Sequence, residues 1–224
     1  MWWRRSSRWV EYKGKSGIAY ICGVFDSALS ISIWQTLNDW DRQLFLFFNG
    51  KLVNPFFDAV LPYFRDSVFW APLYLFIIVF VTLNYGKKGW WWALLFLSTV
   101  AVSDLLGTYA FKETVQRLRP CNNPLLLDKV RLVVDHCPGG YSFVSNHAAN
   151  HFGLATFMAL SFHTVFGRWT YLAYVWAALV AFAQLYVGVH YPLDLLAGAL
   201  LGIGAGYLTA SVYRANFGAP VPLT

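Results

Sequence analysis

The chain has 224 residues, of which 58% are hydrophobic, 19% aromatic and only 12% charged. Soluble domains carry about 25% charged residues, so this supply cannot cover a water-facing surface. A disordered chain is excluded and a bilayer protein becomes the leading class. The formal charge of +6, from 17 Lys and Arg against 11 Asp and Glu, would suggest nucleic acid on a soluble protein. On a membrane protein basic residues instead set orientation and bind phosphate, and no nucleic-acid partner is expected. Three cysteines exclude a disulfide-rich scaffold.

Arg4, Arg5, Arg8, Lys13 and Lys15 precede an apolar stretch, residues 16–34, interrupted by Asp26 and a few serines. No small-residue cleavage site follows, so it reads as a retained anchor or interfacial helix and a weaker sixth candidate span. Residues 39–66 are amphipathic, with Phe45, Phe47, Phe48, Phe56 and Phe57 broken by Asn49-Gly50 and Pro55. They read as helices lying in the interface.

Crossing a hydrocarbon core of about 30 Å takes roughly 20 mostly apolar helical residues. Residues 68–85, 89–110, 150–166, 169–188 and 194–212 meet that need. Backbone inside lipid must satisfy its own hydrogen bonds, so these are helices. The expected fold is an all-α integral membrane bundle of five or six transmembrane helices with N-terminal interfacial helices. It is read as one domain over 1–224, with anchor and interfacial helices at 1–66 and the helical core at 67–213. Trp90-Trp91-Trp92 beside Lys87-Lys88 fits an interfacial anchor. Gly198, Gly202 and Gly206 form a strip for close helix approach, read as packing within one chain.

Adjacent spans alternate sides, so Lys87, Lys88, Arg168 and Arg214 share one face with no acidic residue. Short loops rich in Lys and Arg mark the cytoplasmic side. The opposite face, periplasmic or extracellular, then carries three polar clusters. The first runs from Lys112 to Arg119-Pro120. On a helix Lys112 and Arg119 would share a face two turns apart, and Pro120 ends the element. Two cations suit a dianionic phosphate, although a basic rim on lipid headgroups would look alike. The second, Gly140 to His151, opens a helix near residue 147 with Ser145 as N-cap, a place where backbone N–H groups bind anions. His147 and His151 have a zinc-ligand spacing, but no Glu follows His147, and His151 reads as a packing residue. In the third, Ala183 to Asp194, a carboxylate four residues after His190 can fix its tautomer and raise the basicity of the other nitrogen.

Together these clusters resemble the type-2 phosphatidic acid phosphatase superfamily. Its pattern is K-x6-R-P, P-S-G-H and S-R-x5-H-x3-D. Here it reads Lys112…Arg119-Pro120, Val144-Ser145-Asn146-His147 and Ala183-Gln184…His190…Asp194. The resemblance implies that His190 attacks phosphorus, oriented by Asp194, while His147 protonates the leaving oxygen. It implies that Lys112, Arg119, Ser145, the backbone around Asn146, and Gln184 hold the nonbridging oxygens, with no metal or other cofactor. Gln184 stands where the family has a second arginine, with a cost on the order of 1.5–3 kcal/mol for one charge-assisted bond. Arg117 or Arg131 are candidates to compensate. Asn146 replaces glycine and Val144 replaces proline.

Cys121 and Cys137 lie between the first two motifs and are expected to pair, closing a loop of about 17 residues in an oxidising compartment. The expected partner is a membrane lipid substrate: undecaprenyl diphosphate, slightly ahead of lipid A phosphates, then phosphatidylglycerophosphate or phosphatidic acid. Two other readings use the same residues. One is a lipid-phosphate binding or transport protein with little or no turnover, hinted at by Asp26 and Asp104 in apolar segments. The other is a lipid phosphotransferase.

Overall fold

In a computed structural model the backbone is described for residues 17–218 and the side chains from Ile33 to Gly218. The basic cluster from Arg4 to Lys15, and the side chain of Asp26, lie outside the described residues. Two compact units divide the chain, Met1–Trp40 and Asp41–Thr224. Among the described residues every element is helical: α1 (Gly17–Lys51), α2 (Pro55–Phe64), α3 (Ala71–Leu105), the short α4 (Glu113–Val115), α5 (Asn146–Phe166), α6 (Leu172–Tyr186) and α7 (Pro192–Phe217). A π-helical segment, Leu106–Lys112, joins α3 to α4.

Among the described residues, three helical stretches are long and apolar enough to cross a membrane: Ala71–Asn122, Asn146–Tyr186 and Pro192–Phe217. The first has 52 residues, which as a straight rod would be about 78 Å long, far more than a bilayer needs. It folds back at Gly86, whose φ of 54° is left-handed. Contacts with α5 prove the reversal. Tyr74 meets His151 and Tyr85 meets Phe162, whereas Trp92 meets Ser161 and Phe96 meets Phe157. The first arm runs parallel to α5 and the second antiparallel. Asn146–Tyr186 turns likewise at Gly167, φ 53°. Tyr171 lies over His163 and Tyr174 bonds Thr156. Among the described residues, two hairpins and α7 give five rods, consistent with the five or six helices expected. A fourth candidate crossing is a bent pair, Ile33–Lys51 with Pro55–Phe64, at 119°. The backbone of α1 is continuous to Lys51, so it takes in both the apolar stretch and the first part of the amphipathic one, and the chain breaks between Lys51 and Pro55.

The rods present apolar side chains outward, among them Leu75, Phe76, Leu83, Leu196 and Leu200, as lipid contact requires. Inside, Trp92, Phe96, Phe157, Phe162 and Tyr213 form one cluster. This corrects the reading of the tryptophan triplet. Trp90 and Trp91 are exposed, but the helical turn carries Trp92 into the core, where its Nε1 donates to Ser161 Oγ. The glycine strip lies against α5. A Cβ on Gly198, Gly202 or Gly206 would fall 2.5, 2.0 or 2.3 Å from the carbonyl oxygens of Ser145, Ala149 and Gly153. Backbone contact of that kind holds the two motif-bearing helices in fixed register. Gly86, Gly167 and the C-terminus of α7 gather at one end of the bundle, where the Tyr213 hydroxyl meets the Lys88 carbonyl. The three polar clusters gather at the other end.

Candidate active site

His190 follows α6 and precedes α7, in a turn ended by Pro192 at the first position of α7. It is 2% exposed. Arg119 Nη1 lies 3.0 Å from its Nε2, and a guanidinium only donates. Nε2 is therefore the acceptor and Nδ1 carries the proton. That proton faces Ser142 Oγ at 3.3 Å and Asp194 Oδ2 at 3.4 Å. Burial pushes the His190 imidazole down to about 4, against the opposing pull of Asp194. At neutral pH the ring is uncharged, with its lone pair on Nε2.

Asp194 sits in the first turn of α7, fully buried. It accepts from the Tyr191 backbone N–H at 2.9 Å, from the Ser142 hydroxyl, and from Arg117 Nη1 at 2.6 Å. Arg117 also reaches Asp41 Oδ2 at 2.5 Å and stacks over the Tyr191 ring at 4.0 Å. Asp41 in turn accepts from the Leu193 N–H at 2.8 Å. Arg117, Asp41 and Ser142 thus hold Asp194 in place. None was assigned a role from sequence beyond the compensating one suggested for Arg117. Arg117 is committed between two carboxylates and Arg131 pairs with Asp58 at 2.7 Å, so neither replaces the missing family arginine.

The first motif differs from a simple helix face. Gln116 is left-handed, φ 50°, and ends the helix there, ahead of the stop expected at Pro120. Arg119 is then extended, and Pro120 opens a separate turn. The turn still brings the pair together: Lys112, half-buried, lies within electrostatic reach of Arg119 and Asp194. Arg119 is held by the carbonyls of Gly139, Gly140 and Val189, each at 3.3 Å. Cys121 and Cys137 are bonded, with Cα atoms 5.9 Å apart, and so tie the segment after Arg119 to the loop supplying two of those carbonyls.

Ser145 caps α5, its hydroxyl accepting from the Ala148 N–H at 3.4 Å while its own N–H donates to the Asp194 carbonyl at 3.0 Å. His147, in the first turn, lies within electrostatic reach of His190, Lys112 and Arg65. With Arg65, Asp58, Asp135 and His136 it lines an open cleft of about 790 Å³. His151 is not a second ligand: its Nδ1 faces the His147 carbonyl at 2.8 Å and its Nε2 the Tyr74 hydroxyl at 2.9 Å. Asn146 turns its side chain away from that cap, donating to Asp104 at 2.8 Å and Thr108 at 3.0 Å. Gly107 leaves the room, since a Cβ there would lie 2.7 Å from Asn146 Oδ1. Only the Asn146 backbone remains for an anion, and Asp104 is accounted for locally. Gln184 is 1% exposed and donates to the Arg65 carbonyl at 3.2 Å. Its amide is not offered to the site, contrary to the direct binding expected of it.

Among known proteins, the chain is 38% identical over 176 residues to a lipid A 4'-phosphatase of Bacteroides thetaiotaomicron, covering 77% of this chain and 76% of that one. It is 32% identical over 177 residues to a lipid A 4'-phosphatase of Porphyromonas gingivalis, covering 77% and 72%. An undecaprenyl-diphosphatase of Sulfolobus acidocaldarius is 29% identical over 153 residues, covering 67% and 66%. The crystal structure of Aquifex aeolicus LpxE superposes with a TM-score of 0.55 at 26% identity, over 75% of this chain and 93% of that one. The PAP2-type phosphatidylglycerolphosphate phosphatase of Bacillus subtilis superposes at 0.62 and 25% identity, over 86% and 94%. Residues 91–217, which carry all three polar clusters, match the PAP2 superfamily, and the chain belongs to that phosphatase family as an integral membrane protein.

Proposed function

We propose that this chain is a membrane phosphatase that hydrolyses a lipid phosphate through a phosphohistidine on His190. The observation that carries the reading is the Nε2 lone pair of a buried, uncharged His190, aimed at a donor, Arg119, that a phosphate oxygen would take over. In the first step Nε2 bonds to phosphorus as the bond to the lipid oxygen breaks, and His147 gives that oxygen its proton. In the second, His147 takes a proton from water, which attacks phosphorus, and the N–P bond breaks. Asp194 stabilises the imidazolium that forms on His190. Lys112, Arg119, Ser145 and the backbone opening α5 hold the nonbridging oxygens. Catalysis then rests on positioning and fixed charge, and no metal is invoked.

The substrate we propose first is a phosphate monoester on a lipid A type headgroup, ahead of undecaprenyl diphosphate and reversing the order set by sequence. The relatives at 38% and 32% identity support it, as does a wide cleft beside His147 whose mixed polar and apolar walls suit a sugar headgroup. The site is proposed to face the periplasm or exterior, with the acyl chains remaining in lipid along the rods.

Phosphate release from lipid A, undecaprenyl diphosphate, phosphatidylglycerophosphate and phosphatidic acid in detergent tests this reading, with and without chelator, for wild type and His190→Ala. Lipid A is expected to turn over fastest, chelator to leave the rate unchanged, and His190→Ala to be inactive. Equal rates from both proteins would end the reading. Phosphate appearing on another lipid instead of in solution would identify a phosphotransferase.

A further inference from the structure

The family's second arginine is absent at position 184, and the structure places another cation against that position. Arg65 caps the C-terminus of α2, far from the three motifs in sequence. Its carbonyl accepts the Gln184 amide across a separation of 119 residues. Gln184 Oε1 is buried with no hydrogen-bond partner, and so is Arg65 Nε. The Arg65 side chain lines the same cleft as His147, and its charge reaches both His147 and Arg119. Among the described residues, Arg65, Lys112 and Arg119 of the candidate site lack the carboxylate pairing that Arg117 and Arg131 have, and of the three Arg119 is already held by carbonyls and His190.

We infer that Arg65 is a phosphate-binding residue of this site, supplying from α2 the charge that relatives place on α6, with Gln184 as its positioning residue. The Arg65 guanidinium is half-buried, and its buried Nε has no partner, so it carries a desolvation cost that an anion relieves. An arginine at 184 would instead add a further positive charge beside Arg65 and Arg119. A neutral amide there removes the repulsion and anchors the α2 terminus from which Arg65 reaches. The inference rests on the phosphatase reading for its biological meaning, but its chemistry is anion binding and is testable without turnover.

The probe is inorganic phosphate, titrated calorimetrically into the whole chain in detergent. Arg65→Gln should weaken phosphate binding about 10- to 100-fold, the loss of one charge-assisted contact. Arg65→Gln with Gln184→Arg, which returns the cation to the family position, should recover most of that loss. Arg168→Gln, which removes an exposed charge at the opposite end of the bundle, should bind as wild type does. If Arg65→Gln does not fold, Arg65→Lys answers instead. It keeps the charge but not the planar fork, and a severalfold loss is expected. Unchanged affinity in whichever single Arg65 variant folds, or an equal loss in Arg168→Gln, would overturn the assignment. A wild type that binds phosphate through Arg65 but releases none from any lipid would sink the phosphatase reading and leave this subsite standing.

Discussion

Arg119 Nη1 donates to His190 Nε2 across 3.0 Å, so a cation of the first motif rests on the atom that the third motif needs as a nucleophile. The contact fixes the tautomer, keeps the ring unprotonated, and must be exchanged for a phosphate oxygen when substrate enters. It also makes the ionisation of His190 depend on Arg119. The kcat/KM profile of the wild type should show an acid limb near the value of about 4 that burial imposes on His190. Removing the cation makes protonation easier, so Arg119→Gln should move that limb to higher pH while lowering the plateau. A limb that stays in place or moves down would contradict the contact. For stability, the folded value lies below the ordinary 6.5. The contribution of His190 is therefore present above that value and is lost as pH falls through about 4.

Arg117 bridges Asp41 and Asp194, whose side chains are 1% and 0% exposed. Arg117→Leu leaves two buried carboxylates facing each other without a counter-charge. It should cost about 3–5 kcal/mol, read as a fall in Tm in detergent. Asp41→Asn added to Arg117→Leu should recover part of that loss, as one of the stranded charges is removed.

Two glycines on α7 give opposite expectations. A Cβ on Gly202 would sit 2.0 Å from the Ala149 carbonyl, whereas one on Gly204 meets nothing within 4 Å. Gly202→Ala should force α5 and α7 apart, lowering stability by roughly 1–3 kcal/mol or more and displacing His147 from His190. Gly204→Ala should be neutral, or stabilising by up to about 1 kcal/mol. Thermal melts of the two variants side by side provide the check.

The Cys121–Cys137 bond fastens the loop whose Gly139 and Gly140 carbonyls hold Arg119. Cys121→Ser with Cys137→Ser should lower stability by about 3 kcal/mol and raise KM more than it lowers kcat, because the loosened group binds phosphate. Steady-state kinetics of the reduced wild type should show the same pattern.

The motif residues were legible because their chemistry is local: His190 and Asp194 are four apart, and Ser145 caps the helix that carries His147. Their meeting was legible from the alternation of spans, which puts every cluster at one end of the bundle. The support around them was not. Asp41 and Arg65 lie in a segment whose phenylalanines read as interfacial, and nothing in its periodicity shows that Asp41 reaches Arg117 and Leu193 over separations of 76 and 152 residues. Gln184 looked like a weakened phosphate ligand, because the carbonyl it bonds belongs to a distant helix cap. Nor does anything near Asn146 in sequence show that Gly107, in the π-helical segment, supplies the space for its side chain. No local signal singles out Asp41, which stands in the polar run Asn38-Asp39-Trp40-Asp41-Arg42-Gln43.

The most direct measurement is a rapid alkaline quench of wild-type protein turning over lipid labelled in its phosphate, followed by peptide mapping. Alkali preserves a phosphorus–nitrogen bond on imidazole. The label should appear on the peptide containing His190, build up within a single turnover, and persist longer in His147→Ala than in wild type. Turnover with no label on that peptide, or labelled phosphate released at the wild-type rate by His190→Ala, would contradict the account.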